Sequence, residues 1–225
     1  MILSLETATS VCSVALHDQG QLRGHAFNAK EQTASSELAV IIKSVLQESG
    51  VHQRELKAVA VSSGPGSFTG LRIGVATAKG LCFALDVPLI SINTLLILSR
   101  AAHAQVNDEP IFCPMIDARR MEVYCMLVDK RLNVIKPTHA LVVDETSFAE
   151  ELKRGRVVFF GNGAAKCQGV IKSGNAVFLE DVVLDAANMG ALAMGKFNSQ
   201  SFEDLSGFEP FYLKDFVVKK PKSLI

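Results

Sequence analysis

The stretch of this chain that most strongly suggests ligand binding lies at positions 62–74 and reads SSGPGSFTGLRIG. Glycines and hydroxyl side chains here precede a run with helical character. A loop of this composition can bind phosphate, because backbone N–H groups converge on an anion where no side chain intervenes. The stretch therefore raises the question of whether the chain binds a nucleotide.

The spacing of the glycines departs from two known phosphate loops. A P-loop needs four residues between its glycines and a lysine after the second, but five residues separate Gly64 from Gly70 and the next residue is Leu71. In a dinucleotide-binding loop the third glycine would come one residue earlier than it does here. We therefore predict a tight turn at Gly64 and Gly66, with Ser67 and Thr69 as candidate N-caps of a helix that the turn orients.

Two carboxylates form the second candidate site. Glu6 and Asp117 each end an apolar strand, and they can either face each other across a cleft as an acid–base pair or be structural strand ends, the reading that we favour. Neither following turn contains a glycine, so side chains would crowd a triphosphate there. Arg119 and Arg120 in the second turn either bind an anion or form a solvated turn, and we favour the solvated turn.

Other catalytic arrangements are not indicated. No two of the five histidines have the spacing of a helical metal site, and no G-x-S-x-G motif is present, so we predict no metal and no nucleophile. The five cysteines form no C-x-x-C pair and mostly lie in apolar runs, which is typical of reduced thiols in a cytosolic protein. Lys plus Arg equals Asp plus Glu, at 23 each, so no global field draws the chain to nucleic acid.

The N-terminus lacks the features of a signal peptide, and we expect no membrane span and a cytoplasmic location. Hydrophobic periodicity predicts strands near 2–6, 11–17, 21–28, 57–63, 87–92, 111–117, 121–129 and 131–137, and helices over 35–49, 70–85 and 93–104. Gly50 is predicted to end the first helix.

The pattern of the first half restarts after residue 107. A shift that places Glu6 on Asp117 also aligns Val14 with Cys125, and VVFFGNGA at 157–164 resembles VAVSSGPG at 59–66. We infer an internal duplication with halves at 1–107 and 108–225. A duplicated β-β-β-α-β-α unit is the α/β plan of the actin-like ATPase, or ASKHA, superfold, which is ribonuclease H-like. By analogy with that fold, we interpret six positions as remnants of phosphate-binding turns, namely Glu6, Thr7, Gly64, Gly66, Ser67 and Asp117.

The helix over 70–85 has two rows of small residues. Gly70, Gly74 and Ala78 form one row, and a second row follows an adjacent face. Rows of small residues let the backbone of a neighbouring element approach the helix closely. One row suits packing on the chain's own sheet, and the second suggests either the preceding helix or a partner as a close neighbour.

The chain resembles the TsaB family, also called YeaZ. The matching stretches are LETATSVCSVAL (5–16), SSGPGSFTGLRIGVATAKGL (62–81), IDARRMEVY (116–124), FGNGA (160–164) and EPFYLKDFVVKKPK (209–222). Family members usually have Asp where this chain has Glu6. TsaD, a related family, carries an H-x-x-x-H metal motif that this sequence lacks.

The resemblance implies a non-catalytic scaffold without a cofactor, a subunit of the TsaB–TsaD–TsaE complex. That complex forms N6-threonylcarbamoyladenosine next to the anticodon of tRNAs that read codons starting with A. The partners implied are TsaD and TsaE, a second copy when the chain is alone, and tRNA only through the complex. The alternative is a small-molecule phosphotransferase of the sugar- or acetate-kinase type, and a peptidase ranks last. The resemblance places the partner interface on the first two helices, where we predict Glu37, Leu38, Ile41, Arg72, Ile73, Ala76, Thr77 and Gly80.

Overall fold

The computed structural model describes residues 1–28 and 33–214, without the side chains of 33–36 and 104. Eight helices and strands make up the first half of the described chain: β1 (Ile2–Glu6), β2 (Cys12–Asp18), β3 (Gln21–Asn28), α1 (Thr33–Glu48), β4 (Ala58–Gly64), α2 (Phe68–Leu85), β5 (Leu89–Asn93) and α3 (Thr94–Ala102). Seven follow in the second half: β6 (Ile111–Asp117), β7 (Glu122–Val128), β8 (Val134–Val142), α4 (Ala149–Arg154), β9 (Val157–Phe160), β10 (Ala176–Phe178) and α5 (Gly190–Asn198).

The two halves form two five-stranded sheets with the same topology. The first has the order β3-β2-β1-β4-β5 and the second, read from the corresponding edge, β8-β7-β6-β9-β10. In both sheets the first three strands pair antiparallel and the last two join in parallel. The duplicated α/β plan predicted from the sequence is confirmed.

Burial explains the position of each strand in the first sheet. Every residue of β1 is buried, as are all but one of β4, so both strands suit the centre of a sheet covered on both faces. The outer strand β3 is exposed or half-buried along its length, as expected for an edge.

Helices α3 and α5 connect the halves. Helix α3 packs on β4 and β5 and also on β6 and β7, whereas α5 packs on the first sheet, against β1, β2, β3 and β5. One hydrophobic core therefore contains residues of both halves, including Ile97, Leu98, Phe112, Phe160 and Ala193. Two further cores each lie within one half.

Helix α2 is the one described helix that has the length and mean hydropathy needed to cross a membrane. It nevertheless carries Arg72 and Lys79, and its glycine face packs on β4 and on the turn after β1. We interpret it as a packed helix with one apolar face left exposed. The corresponding position in the second half holds only a short 3-10 turn, Ala165–Cys167.

Candidate functional site

The first glycine turn is filled by the chain's own backbone. The Ser67 N–H donates to the Ala8 carbonyl at 2.6 Å, and Thr7 Oγ1 donates to the Gly70 carbonyl at 2.8 Å. A Cβ at Gly66 would lie 2.3 Å from the Ala8 oxygen, and one at Gly70 would lie 2.0 Å from the Thr7 oxygen. These glycines are therefore required because the turn between β1 and β2 packs against them.

The outer side of the same loop is covered by residues 203–214, which we call the C-terminal strap. The Phe211 N–H donates to the Ser63 carbonyl at 2.7 Å, and a Cβ at Gly64 would lie 2.5 Å from the Phe211 oxygen. Gly64 has a φ of +115°, which favours glycine. Ser67 accepts a hydrogen bond from the Gly70 N–H at 3.3 Å, so Ser67 is confirmed as the N-cap, whereas the other candidate, Thr69, lies within α2.

The strap is held along α2 by side chains that face outward from the helix. Lys79 Nζ donates to the carbonyls of Ser206 and Phe208 at 3.1 and 3.2 Å. The Arg72 guanidinium lies 4.0 Å from the centre of the Phe68 ring, and its Nε donates to the Tyr212 hydroxyl at 3.3 Å. This role of Lys79 and Tyr212 could not be predicted from the sequence, because it depends on contacts between residues distant along the chain.

Glu6 lies fully buried beneath the first turn. The Ala8 N–H donates to Glu6 Oε1 at 2.5 Å, while Oε2 and the nearby Ser62 Oγ have no partner at hydrogen-bonding geometry among the described residues. Burial raises the pKa of Glu6 to about 7; backbone and Ser62 hydrogen bonding opposes that rise. A buried carboxyl with one unbonded oxygen is best satisfied when it is protonated.

Asp117 has the opposite environment, at the surface of the second turn. Burial acts to raise its pKa, but hydrogen bonds from the Lys166 ammonium and the Arg119 N–H outweigh that effect and lower it. Lys166 Nζ also donates to the carbonyls of Arg120 and Glu122 at 2.7 and 2.6 Å. A lysine side chain thus fills the second turn.

The two carboxylates form no acid–base pair in this structure. Glu6 bonds to its own turn and Asp117 to Lys166, and no hydrogen bond or ion pair among the described residues joins them. The role of the two carboxylates as structural strand ends stays a prediction.

The cleft between the halves has a volume of about 440 Å³. Its described lining is mostly apolar, and the charged residues in it are the acids Glu180 and Asp181. A triphosphate carries several negative charges and needs cations or converging N–H groups. Acids in the lining oppose such a ligand. The lining residues are Thr9, Ser10, Val11, Leu98, Ile116, Gly161, Asn162, Ala164, Ala165, Gln168, Phe178, Leu179, Glu180, Asp181, Val182, Val183 and Leu184.

The two rows of small residues on α2 have different neighbours. A Cβ at Gly70 or Gly74 would clash with Thr7, so the first row packs within the chain. A bulky residue at Gly74 is therefore expected to lower stability rather than to report on a partner. The second row, Ala76, Gly80 and Ala84, is exposed, and Gly80 has open space beside its Cα.

The predicted interface residues lie on α1 and α2 with different exposure. Leu38 is buried in the core of the first half, so its side chain faces inward. Arg72, Ala76 and Gly80 are exposed, and Glu37, Ile41, Ile73 and Thr77 are half-buried. Two large apolar side chains on these helices lie outside the predicted set, Val40 at 65% and Phe83 at 82% exposure. We call the exposed surface of α1 and α2 the helix face.

A groove of about 440 Å³ opens beside the helix face, between α1 and α2. It is lined by Leu3, Ala39, Ile42, Lys43, Leu46, Gln47, Val51, His52, Gln53, Leu56, Thr77 and Leu81. No cluster of metal-ligating side chains was found among the described residues, and the five cysteines are buried thiols.

Comparison with known proteins places this geometry in a family. A family model described as TsaD: tRNA N6-adenosine threonylcarbamoyltransferase matches residues 28–188. The tRNA threonylcarbamoyladenosine biosynthesis protein TsaB of Escherichia coli is 30% identical over 97% of this chain and 96% of its own. The chain belongs to the TsaB family. The match extends over nearly the whole E. coli protein, so it is not limited to one shared segment.

Solved structures agree with this membership at the level of the fold. YeaZ from Pseudomonas aeruginosa superposes with a TM-score of 0.82 at 24% identity, over 94% of this chain and 99% of that one. The activator of the 2-hydroxyisocaproyl-CoA dehydratase from Clostridium difficile, solved with bound ADPNP, gives a TM-score of 0.50 at 9% identity over 90% and 97%. The TsaB family member thus shares the actin-like ATPase fold predicted from its duplicated halves.

Proposed function

We propose that this chain acts in the biosynthesis of tRNA N6-threonylcarbamoyladenosine as a non-catalytic subunit that binds TsaD through the helix face. The E. coli relative is named for this biosynthesis, and the family model that matches carries the name of the transferase. In this proposal TsaE joins the complex, tRNA is bound by the complex, and the assembly is cytoplasmic.

The observation that supports the proposal best is the exposure of apolar side chains on the helix face. Phe83 and Val40 leave large apolar surfaces in water, which costs about 25 cal/mol for each Å². The exposed row of Ala76, Gly80 and Ala84 lets a partner helix approach closely. Apolar surface beside a small-residue row fits a helix-to-helix interface.

The phosphate turns support the non-catalytic part of the proposal. Thr7 and Ala8, in the turn after β1, fill the glycine turn that precedes α2, and Lys166 fills the turn after β6. The acids of the cleft oppose a triphosphate. These contacts occupy both turns, which supports a chain that does not hold ATP phosphates there.

We propose that the same surface pairs with a second copy of the chain when TsaD is absent. A helix face that pairs with a related actin-like protein can pair with a second copy by a two-fold axis, because both partners present the same elements. We therefore propose that the homodimer and the TsaD complex exclude each other.

Size-exclusion chromatography with purified TsaD tests the pairing. The variant Val40→Asp/Phe83→Asp places charges on the helix face and is expected to abolish co-elution with TsaD while the unfolding temperature stays unchanged. Ile135→Asp is the control, since Ile135 is 52% exposed on the distant edge strand β8, and it is expected to co-elute. Co-elution of the helix-face variant at wild-type affinity would refute the interface.

An enzymatic assay tests the alternative of a phosphotransferase. The isolated chain is incubated with ATP and a panel of small sugar and carboxylate acceptors. We expect no turnover, and ATP consumption that depends on this chain alone would favour the phosphotransferase over the scaffold.

A further inference from the structure

The cleft between the halves has the size of a small-molecule site. Its volume of about 440 Å³ lies within the range of about 300–1,000 Å³ that such sites occupy. The first half contributes residues 9–11 and Leu98, and the second contributes Ile116 and residues from 161–168 and 178–184. A molecule bound there would contact both halves of the chain.

Most of the cleft wall is apolar. Leu98, Ile116, Val182 and Leu184 line it and belong to the hydrophobic core that the two halves share. Val183, also in the lining, leaves 44% of its surface exposed. Apolar walls offer water few hydrogen bonds, so an apolar group that displaces this water is favoured. The cleft therefore suits the hydrophobic body of a ligand.

Two carboxylates determine the charge that such a ligand should carry. Glu180 and Asp181 are exposed residues of the lining, and neither side chain forms an ion pair or a hydrogen bond with another residue in the described part of the chain. Lysine, arginine and histidine are absent from the described lining. The lining thus carries two negative charges and no positive one, which favours a cation and opposes an anion.

Charged groups next to the cleft have partners of their own. Lys166, which follows a lining residue in the chain, bonds to Asp117 and to two backbone carbonyls. Asp185, which also follows a lining residue, bonds to His25 at 2.8 Å. Each of these cations is therefore occupied by its own partner and does not neutralise the two acids of the lining.

Phe178 adds an aromatic surface two residues from Glu180. Its ring stacks on Phe159, with 5.1 Å between the ring centres and 25° between the planes, and Phe178 also lines the cleft. The face of an aromatic ring attracts an ammonium ion within about 6 Å of its centre. Carboxylates and an aromatic ring, the two kinds of group that recognise organic cations, thus lie together on residues 178–181.

We propose that the cleft binds a primary ammonium ion carried on an apolar body. The ammonium group donates hydrogen bonds to Glu180 and Asp181, and the body displaces water from the apolar walls. The site lies apart from the helix face, because none of the described lining residues belongs to α1 or α2. The proposal therefore does not depend on pairing with TsaD.

Titration of the isolated full-length chain with three related compounds, followed by NMR, tests the proposal. Phenethylamine, phenethyl alcohol and hydrocinnamate share a phenethyl group and are positive, neutral and negative at neutral pH. Methyl resonances of Leu98, Ile116 and Val183 report binding in the cleft. We expect the amine to shift these resonances and to bind about tenfold more tightly than the alcohol, and the acid to bind more weakly than both.

Two results of this titration would overturn the proposal. The first is binding of the alcohol or the acid that is as tight as binding of the amine, because charge would then not select the ligand. The second is the absence of saturable binding of the amine at millimolar concentrations.

The variant Glu180→Gln/Asp181→Asn removes both charges and keeps the size of the side chains. Its affinity for phenethylamine is expected to fall about tenfold, with the affinity for the alcohol unchanged. The control, Asp86→Asn/Glu109→Gln, removes two exposed acids outside the cleft lining and is expected to bind the amine as the wild type does. Asp86 matches Asp181 in backbone conformation, with φ values of 54° and 58°. Wild-type affinity of Glu180→Gln/Asp181→Asn for the amine would contradict the assigned role of the carboxylates.

Further measurements separate this proposal from its alternatives. Melting curves check the fold of both variants, and the three compounds on the wild-type chain decide the proposal even where a variant unfolds. Adenosine is titrated as an uncharged nucleoside, and tighter binding of adenosine than of phenethylamine at the same methyl groups would overturn the choice of an ammonium ion. Co-elution of Glu180→Gln/Asp181→Asn with TsaD is expected to be retained. Failure of the wild type to bind TsaD would refute the proposed pairing and leave the titration of the cleft to decide the ligand independently.

Discussion

Two glycines of α2 show how position decides the effect of one methyl group. Gly70→Ala would place Cβ 2.0 Å from the Thr7 carbonyl oxygen, which belongs to the backbone of the first turn. Because backbone cannot move aside as a side chain does, we expect destabilisation of about 2 kcal/mol or more. The unfolding free energy in urea measures this.

Gly80→Ala is the matched control for that change. Gly80 lies within the same helix and has open space around the added Cβ. Alanine there reduces the entropy of the unfolded chain and favours the helix, so we expect a gain of about 0.5–1 kcal/mol. Equal losses at both positions would show that the first turn does not pack as described.

The buried carboxyl of Glu6 predicts a pH dependence of stability. Its pKa is raised from 4.5 to about 7 in the folded chain, so unfolding releases its proton between these two pH values. The folded state binds more protons there, and the stability that Glu6 contributes therefore falls as pH rises from about 4.5 to about 7. The loss is on the order of 3 kcal/mol.

The variant Glu6→Gln isolates this effect from other titrating groups. Glutamine keeps an oxygen to accept from the Ala8 N–H and carries no charge at any pH. We expect the difference in unfolding free energy, variant minus wild type, to increase from pH 5 to pH 8. Parallel curves for the two proteins would contradict the raised pKa of Glu6.

At the scale of elements, local sequence predicted most of the central structure. The strand at 2–6 and the strand at 111–117 agree with β1 and β6 at both ends, because each is a continuous apolar run bounded by a carboxylate. The strand predicted at 131–137 instead spans Val134–Val142. Because β8 is an exposed edge strand, it contains both polar and apolar residues, and its sequence shows only a weak alternation of the two.

The sequence did not predict the contacts that close the phosphate turns. Gly66 and Ser67 were correctly interpreted as a turn and an N-cap, since those roles depend on neighbouring residues. Lys166 and the C-terminal strap reach the turns from distant positions in the chain. Such contacts depend on the assembled fold and leave no periodic signal.

The attachment of the C-terminal strap to α2 gives a prediction for Lys79. Its ammonium bonds two strap carbonyls, and removing a charged donor of this kind costs about 1–2 kcal/mol at a partly exposed site. Lys79→Ala is expected to increase hydrogen exchange within residues 203–212, with little change in β1 or β4. Lys57→Ala is the control, as Lys57 is exposed and no hydrogen bond of the described structure joins its side chain to the strap. Unchanged exchange in the strap would contradict its anchoring by Lys79.

At the scale of the whole molecule, the two halves repeat one topology but do not bury their surfaces separately. Helix α5 belongs to the second half and packs on the first sheet, while α3 belongs to the first half and contacts β6 and β7 of the second. Ala193 of α5 and Phe112 of β6 lie in the same hydrophobic core. The halves that sequence analysis proposed, 1–107 and 108–225, therefore depend on each other for burial.

This shared core predicts that neither half folds alone. Residues 1–107 would expose the surface of β1 and β5 that α5 covers, and residues 108–225 would expose the surface that α3 covers. Exposed apolar area of that kind removes stabilisation of about 25 cal/mol for each Å². We expect each fragment to show poorly dispersed amide resonances in two-dimensional NMR spectra, and the co-expressed fragments to restore dispersed spectra. A well-dispersed spectrum from either fragment alone would show that its half buries a sufficient core without the other.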